Sequence, residues 1–315
     1  MRLRLRRVSG PAAKGLPRLA FVALLTLAVG AASVAAGAAS CDGPQSAELR
    51  VRVLRDLPLV NVAIDGKPAT LLLDTGSEDT VLTPGAAARL VLVGHYEYPR
   101  RIGALGGAVG SGVALTHRFA AGPLDVPDFR VMIGNVSLPD LEGVQPDGLL
   151  GADFLGQFAV DLELPDARLR LYRPACRAEQ PTWPPPFATI AANRSLNDHL
   201  FFPVKLDGKP LYAFLDTGAQ RSVVDRAAVL KAGVMPAALA RAPTAMLSGA
   251  AAGRVVAPLH RFARLEVGGS AITDPVLSVA PLDLIDADLI LGEDFIATRH
   301  IWLSYAPPQI FIQGP

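Results

Sequence analysis

Ile64-Asp-Gly-Lys-Pro-Ala-Thr-Leu-Leu-Leu-Asp74-Thr75-Gly76-Ser77 returns later in the chain as Leu206-Asp-Gly-Lys-Pro-Leu-Tyr-Ala-Phe-Leu-Asp216-Thr217-Gly218-Ala219. Each copy carries an Asp-Gly turn, an apolar run and the same Asp-Thr-Gly, at an offset of 142 residues (216 − 74). A lone Asp-Thr-Gly is an ordinary turn, because Asp and Gly are favoured turn residues. Two copies in matched contexts mark an internal duplication. One carboxylate per half can then be brought face to face across a pseudo-two-fold axis, the arrangement that acid–base hydrolysis of an unactivated bond requires.

Further landmarks follow in each half. Leu105-Gly106-Gly107 is matched at the same offset by Leu247-Ser248-Gly249, and His117-Arg118-Phe119 by His260-Arg261-Phe262 one residue later. Near the end of each half an apolar pair precedes a glycine: Leu149-Leu150-Gly151-Ala-Asp153-Phe154 and Ile290-Leu291-Gly292-Glu-Asp294-Phe295. Short apolar runs separated by Gly, Pro and Asp predict strands. The fold class expected is mostly β, as two homologous, partly closed barrel lobes. Pro84 to Leu92 and Asp225 to Ala232 are the two stretches with helical periodicity.

This combination resembles the retropepsin-like aspartic proteases, the clan that also contains the two-lobed pepsins. The resemblance covers roughly residues 50 to 172 and 198 to 313. It implies an aspartic-type endopeptidase with Asp74 and Asp216 as the catalytic pair and the active site at the lobe interface. It also implies loop support from Thr75, Gly76, Ser77, Thr217, Gly218 and Ala219, with the two threonines interlocking across the axis. Gly103, Leu105, Gly106 and Gly107, with Leu247 and Gly249, fall where the family places flaps that fold over an extended peptide. Leu150, Gly151, Leu291 and Gly292 are expected as buried walls behind the two aspartates. Pepsin-type sites usually carry a hydroxyl three residues after the aspartate and viral ones alanine. Ser77 against Ala219 therefore leads to the expectation that Ser77 stabilises ionised Asp74 and leaves the proton on Asp216.

The residues themselves argue the same chemistry. Two close carboxyls cannot both ionise, so they share a proton. Neither cofactor nor metal is expected: the five histidines and two cysteines show no ligand spacing, and no P-loop, G-x-S-x-G or H-E-x-x-H is present. His117 and His260 are read as equivalent strand positions, Asp153 and Asp294 as braces of the glycine turn, and Tyr96 and Tyr98 as hairpin packing residues. The alternatives kept open are an inactive peptide-binding envelope protein with this fold and an assembly protein whose lobes pair with other chains.

The amino terminus reads as an export segment. Arg2, Arg4, Arg6, Arg7, Lys14 and Arg18 precede an uncharged stretch from Leu19 to Cys41. Residues 1–40 are thus a signal peptide or an N-terminal membrane anchor, with inner-membrane association through residues 19–40 in the second case. The expected location is the bacterial periplasm or cell envelope. Without residues 1–40 the chain keeps 24 basic and 29 acidic residues, a net charge of −5, which gives no footing for nucleic acid. The expected partner is a polypeptide substrate, and the expected state is a monomer, because one chain holds both motifs. Domain boundaries are drawn at 45–172 for the N-terminal lobe, 173–190 for a proline-rich linker and 191–315 for the C-terminal lobe. Pairing of Cys41 with Cys176 is left open.

Overall fold

A computed structural model describes residues 45–104, 107–174, 180–251, 253–282, 284 and 286–314, with residues 96–104 as backbone only. Cys41, Cys176, Leu105 and Gly106, and the side chains of Tyr96 and Tyr98, lie outside the described part.

The Asp-Gly turns set the architecture in motion. Asp65 and Gly66 have φ of 49° and 77°, and Asp207 and Gly208 have 48° and 74°. Two successive positive φ values match the two-residue hairpin turns that follow strand twist. Each Asp also accepts a backbone N–H from a distant strand, Asp65 from Arg118 at 2.8 Å and Asp207 from Arg264 at 2.8 Å. The turns join Leu57–Ile64 to Lys67–Leu73 and Leu200–Leu206 to Lys209–Leu215. The second strand of each pair is the apolar run that ends in Asp-Thr-Gly.

Those runs are buried because another strand lies along them. Gly148–Leu150 pairs in parallel with Leu71–Leu73, and Leu289–Leu291 pairs in parallel with Ala213–Leu215. Leu71 and Leu73 have no exposed surface, and each such burial stabilises by about 1.5–3 kcal/mol. Each half builds a ten-stranded sheet with the same strand order. The structure is mostly β, with short helices. Helix Pro84–Leu90 is capped by the Thr83 hydroxyl and Arg226–Lys231 by the Asp225 carboxylate. A helix at Pro236–Arg241 has no counterpart in the sequence reading, since its six residues are too short to show a period.

A third sheet joins the halves. Its six strands run Ser46–Arg50, Arg168–Tyr172, Ala159–Glu163, His300–Tyr305, Pro308–Gln313 and Ala188–Ala191. The seam is antiparallel, with Leu162 opposite Ile301. Val160, Leu162, Ile301 and Leu303 join a continuous core drawn from both halves. On the opposite face Trp183 packs against His300 and Trp302.

The register corrects one landmark. Up to the Asp-Thr-Gly loops the two halves stay 142 apart, with Val60 opposite Leu71 and Phe202 opposite Ala213. Past the hairpins the offset becomes 146 (278 − 132): Met132 pairs with Val113, and Ser278 with Leu259. His117 therefore corresponds to Ala263. His117 sits at a bend, whereas His260 lies within the strand Arg254–Arg261. The repeated His-Arg-Phe is a coincidence of sequence, displaced by extra residues in the second hairpin.

Candidate active site

Each delivery strand ends with its aspartate held from behind. Asp74 donates its N–H to Leu150 O at 3.1 Å, and Asp216 donates to Leu291 O at 2.9 Å. The chain then turns back, so that Gly76 N–H donates to Asp74 Oδ1 (3.1 Å) and Gly218 N–H to Asp216 Oδ1 (2.9 Å). These glycines are required by close approach. A Cβ on Gly76 would lie 2.3 Å from Asp216 Cγ, and one on Gly218 would lie 2.6 Å from Asp74 Cγ. Each loop's glycine thus faces the other half's carboxyl group, and the two carboxyls share a hydrogen bond.

The threonines lock this arrangement. Thr75 N–H donates to Thr217 Oγ1 and Thr217 N–H to Thr75 Oγ1, both at 3.1 Å. The hydroxyls in turn donate across the axis, Thr75 to Leu215 O at 2.8 Å and Thr217 to Leu73 O at 2.7 Å. Four reciprocal bonds between buried groups are each worth about 1 kcal/mol, and leaving a partner unpaired would cost more.

A second repeated unit stands behind the loops. Asp153 Oδ1 accepts from Thr80 N (2.9 Å) and Thr80 Oγ1 (2.6 Å), while Gly151 N–H donates to Thr80 Oγ1 at 3.1 Å. Asp294 holds Ser222 in the same way, and Gly292 N–H donates to Ser222 Oγ. Asp153 and Asp294 brace the glycine turns. Burial pushes Asp153 up to about 6 against the pull of its Thr80 bonds.

Ser77 is not where the sequence reading put it. Its hydroxyl donates to Asp79 O at 2.8 Å, so it braces its own loop and does not bond the Asp74 carboxyl. The ground for expecting a charged Asp74 is thereby removed. Burial and the charge of Asp216 push Asp74 well above the usual carboxylate range. Burial also raises Asp216, but Gly218 N–H, the bond from Asp74 and nearby His199 all favour its ionised form.

The aspartyl protease family profile matches residues 60–154 and 202–295, one match per half and each containing one Asp-Thr-Gly. This chain is an aspartyl protease family member. It is retropepsin-like, with two such regions in one polypeptide. No curated protein matches it.

The glycine-rich stretches expected as flaps form hairpins, His95–Ala104 with Gly107–Leu115 and Thr244–Ser248 with Arg254–Arg261. Gly103 pairs with Ala108 near the tip of the first. Leu247, expected to match Leu105, corresponds instead to Ile102: Leu247 lies opposite Val255 and Ile102 opposite Val109. Gly249 follows the strand just before the turn at Ala250, whereas Gly107 opens a strand. The second tip reaches the first half, where Ser137 N–H donates to Ala250 O at 2.7 Å. A Cβ on Gly107 would lie 3.6 Å from Ala251 Cβ.

Two residues near the dyad were not read as site residues from the sequence, His199 and Glu293. Glu293 is 1% exposed and neither of its carboxyl oxygens has a hydrogen-bond partner. Burial, with Asp216, Asp56 and Asp294 nearby, pushes it up to about 9, so it is a neutral acid at pH 7. The signal available was a break in the repeat, Leu57 against His199 and Ala152 against Glu293. A cavity of about 710 Å³ opens elsewhere in the second half, between Arg194, Tyr212, Lys231 and Asp288. It contains no dyad residue, and its lining mixes charges of both signs.

Proposed function

We propose that this aspartyl protease family member is an active aspartic endopeptidase. The observation that carries the reading is the pair of carboxyls, Asp74 and Asp216, in hydrogen-bond contact and held by reciprocal threonine bonds. Ionised Asp216 acts as general base on a water seated between the carboxyls. Protonated Asp74 donates to the peptide carbonyl oxygen as the water attacks its carbon. The resulting tetrahedral species collapses when a proton passes to the leaving nitrogen. The protein forms no covalent bond to the substrate. The hairpins supply backbone donors and acceptors to an extended peptide, as strand addition does elsewhere.

The remaining readings belong to the same proposal. Residues 1–40 direct export, as a cleaved signal or an anchor, and the rest acts in the bacterial periplasm or cell envelope. Among the described residues no helix is long and apolar enough to cross a membrane, and the segment 19–40 lies outside them. Because one chain supplies both Asp-Thr-Gly loops, the monomer is the active unit, and its specific activity should not fall on dilution. The substrate is a polypeptide.

The test is incubation of the full chain with a mixed peptide library across acidic to neutral pH, with product sequencing. Cleavage at internal bonds, blocked by a statine whose hydroxyl mimics the tetrahedral species, is the expected result. A folded chain that binds peptides from the library and cuts none would contradict it and favour a peptide-holding envelope protein.

A further inference from the structure

The two halves diverge beside the dyad. Leu57 lies opposite Leu54, and at the equivalent place His199 O accepts from Ser195 N–H at 2.9 Å. The aliphatic group Leu57, Leu59 and Leu72 of the first half becomes His199, Phe201 and Phe214 in the second. The His199 ring stacks on Phe214, with centroids 5.4 Å apart and planes at 10°, and meets Phe201 edge-on at 5.9 Å. Phe214 precedes Asp216 by two residues in the strand that delivers it. The histidine is 8% exposed, and its Nε2 is shut off from solvent without a hydrogen-bond partner. A dry, unpaired ring nitrogen is unfavourable, so apolar packing alone does not explain a histidine here. Leucine serves that purpose in the first half.

We propose that His199 is a positioning residue of the dyad, whose imidazolium keeps the ionised carboxylate on Asp216 and leaves the shared proton on Asp74. The proposal rests on the peptidase reading of that pair. The charged groups acting on the ring come from three places: Glu78 on the first half's active-site loop, Asp216 of the dyad and Asp198 on its own turn. The Gly76 carbonyl adds a fourth negative end. All four favour the protonated ring, while burial opposes it and is the larger influence, holding the ring below the usual histidine range. Protonation therefore comes on acidification, and it is linked to a negative charge on Asp216. By linkage each charge stabilises the other equally. Among the described side chains near the dyad, two other candidates for the asymmetry fall away. The Ser77 hydroxyl is turned to Asp79 O, and Glu293 is neutral.

Histidine-ring NMR of the full chain, with the His199 signal assigned by its loss in His199→Leu, reads the linkage without requiring turnover. Asp216→Asn should lower the His199 titration midpoint by about one pH unit, the low end of what a neighbouring opposite charge does. Asp74→Asn, which leaves Asp216 ionised, should not lower it. Equal responses to the two substitutions, or none to either, would overturn the proposal. In turnover, His199→Leu should move the acid limb of the kcat/KM profile up by about one pH unit, and His199→Gln should do the same, because it keeps polarity but not charge. Gln also covers the case in which Leu at this site does not fold. An acid limb that stays in place in the folded variant overturns the proposal too. If wild type cleaves nothing, the peptidase reading fails, and the NMR comparison still decides whether His199 and Asp216 are paired.

Discussion

At the scale of single residues the site is a near-symmetric frame carrying asymmetric chemistry. Thr75 and Thr217 make the same bonds in mirror positions, and Gly76 and Gly218 each face the opposite carboxyl. Ser77 and Ala219 differ, yet that difference does not reach the carboxylates, because the Ser77 hydroxyl is committed to Asp79 O. Ser77→Ala is thus expected to leave the acid limb of the pH–rate profile in place and to cost about 0.5–1.5 kcal/mol of stability for the lost loop bond. Paired pH–rate and denaturation curves check both statements. An upward-shifted acid limb in Ser77→Ala would restore a direct bond to Asp74. The aspartates, threonines and glycines were legible in sequence because the dyad fixes both their identity and their spacing. The Ser77 contact was not, since a one-residue comparison cannot say which of two nearby acceptors a short hydroxyl chooses.

At the scale of elements, the delivery strands, the parallel strands behind them and the glycine turns follow directly from apolar runs placed at offsets of 142 and 141 residues (216 − 74 and 292 − 151). The hairpins do not. Their tips are loops that tolerate extra residues, so the offset drifts from 142 to 146 and the matches at Leu247 and His260 slip. Short helices such as Glu293–Ile296 have too few residues for a periodic signal. The seam strands Ala159–Glu163 and His300–Tyr305 carry the continuity between lobes. Leu162 is 2% exposed and lies opposite Ile301. Leu162→Ala should cost about 2–5 kcal/mol and depress activity more than an equal loss placed far from the seam, because the dyad is assembled across it. Urea denaturation beside kcat/KM measures both. A destabilised variant with unchanged activity in the folded fraction would show that the threonine bonds alone keep the lobes in register.

At the scale of the whole molecule one continuous core runs through both halves, so a burial defect at the axis is felt as global stability. Glu293 supplies such a defect in a pH-dependent form. Its folded value of about 9 lies above the ordinary glutamate value of 4.5. The folded state therefore binds a proton that the unfolded chain releases. The ionisation of this group costs nothing below about pH 4.5, destabilises increasingly as pH rises, and levels off above about 9. Glu293→Gln should match wild type near pH 4 and exceed it near pH 7 by up to about 3 kcal/mol. Denaturant melts at the two pH values decide it. A stability difference that does not grow with pH would mean that Glu293 is already paired or hydrated in solution. The contribution of Glu293 is thus most favourable under acidic conditions.

The most direct measurement of the central claim is kcat/KM on one good peptide for wild type, Asp74→Asn and Asp216→Asn, with folding verified by melting. Asparagine keeps the shape of each side chain and removes the exchange of a proton between them. The account predicts that both variants fold and that each loses at least about a thousandfold in kcat/KM, within the range that a positioned acid or base contributes. A folded variant of either kind that retains substantial cleavage would contradict a mechanism in which Asp74 and Asp216 share one proton.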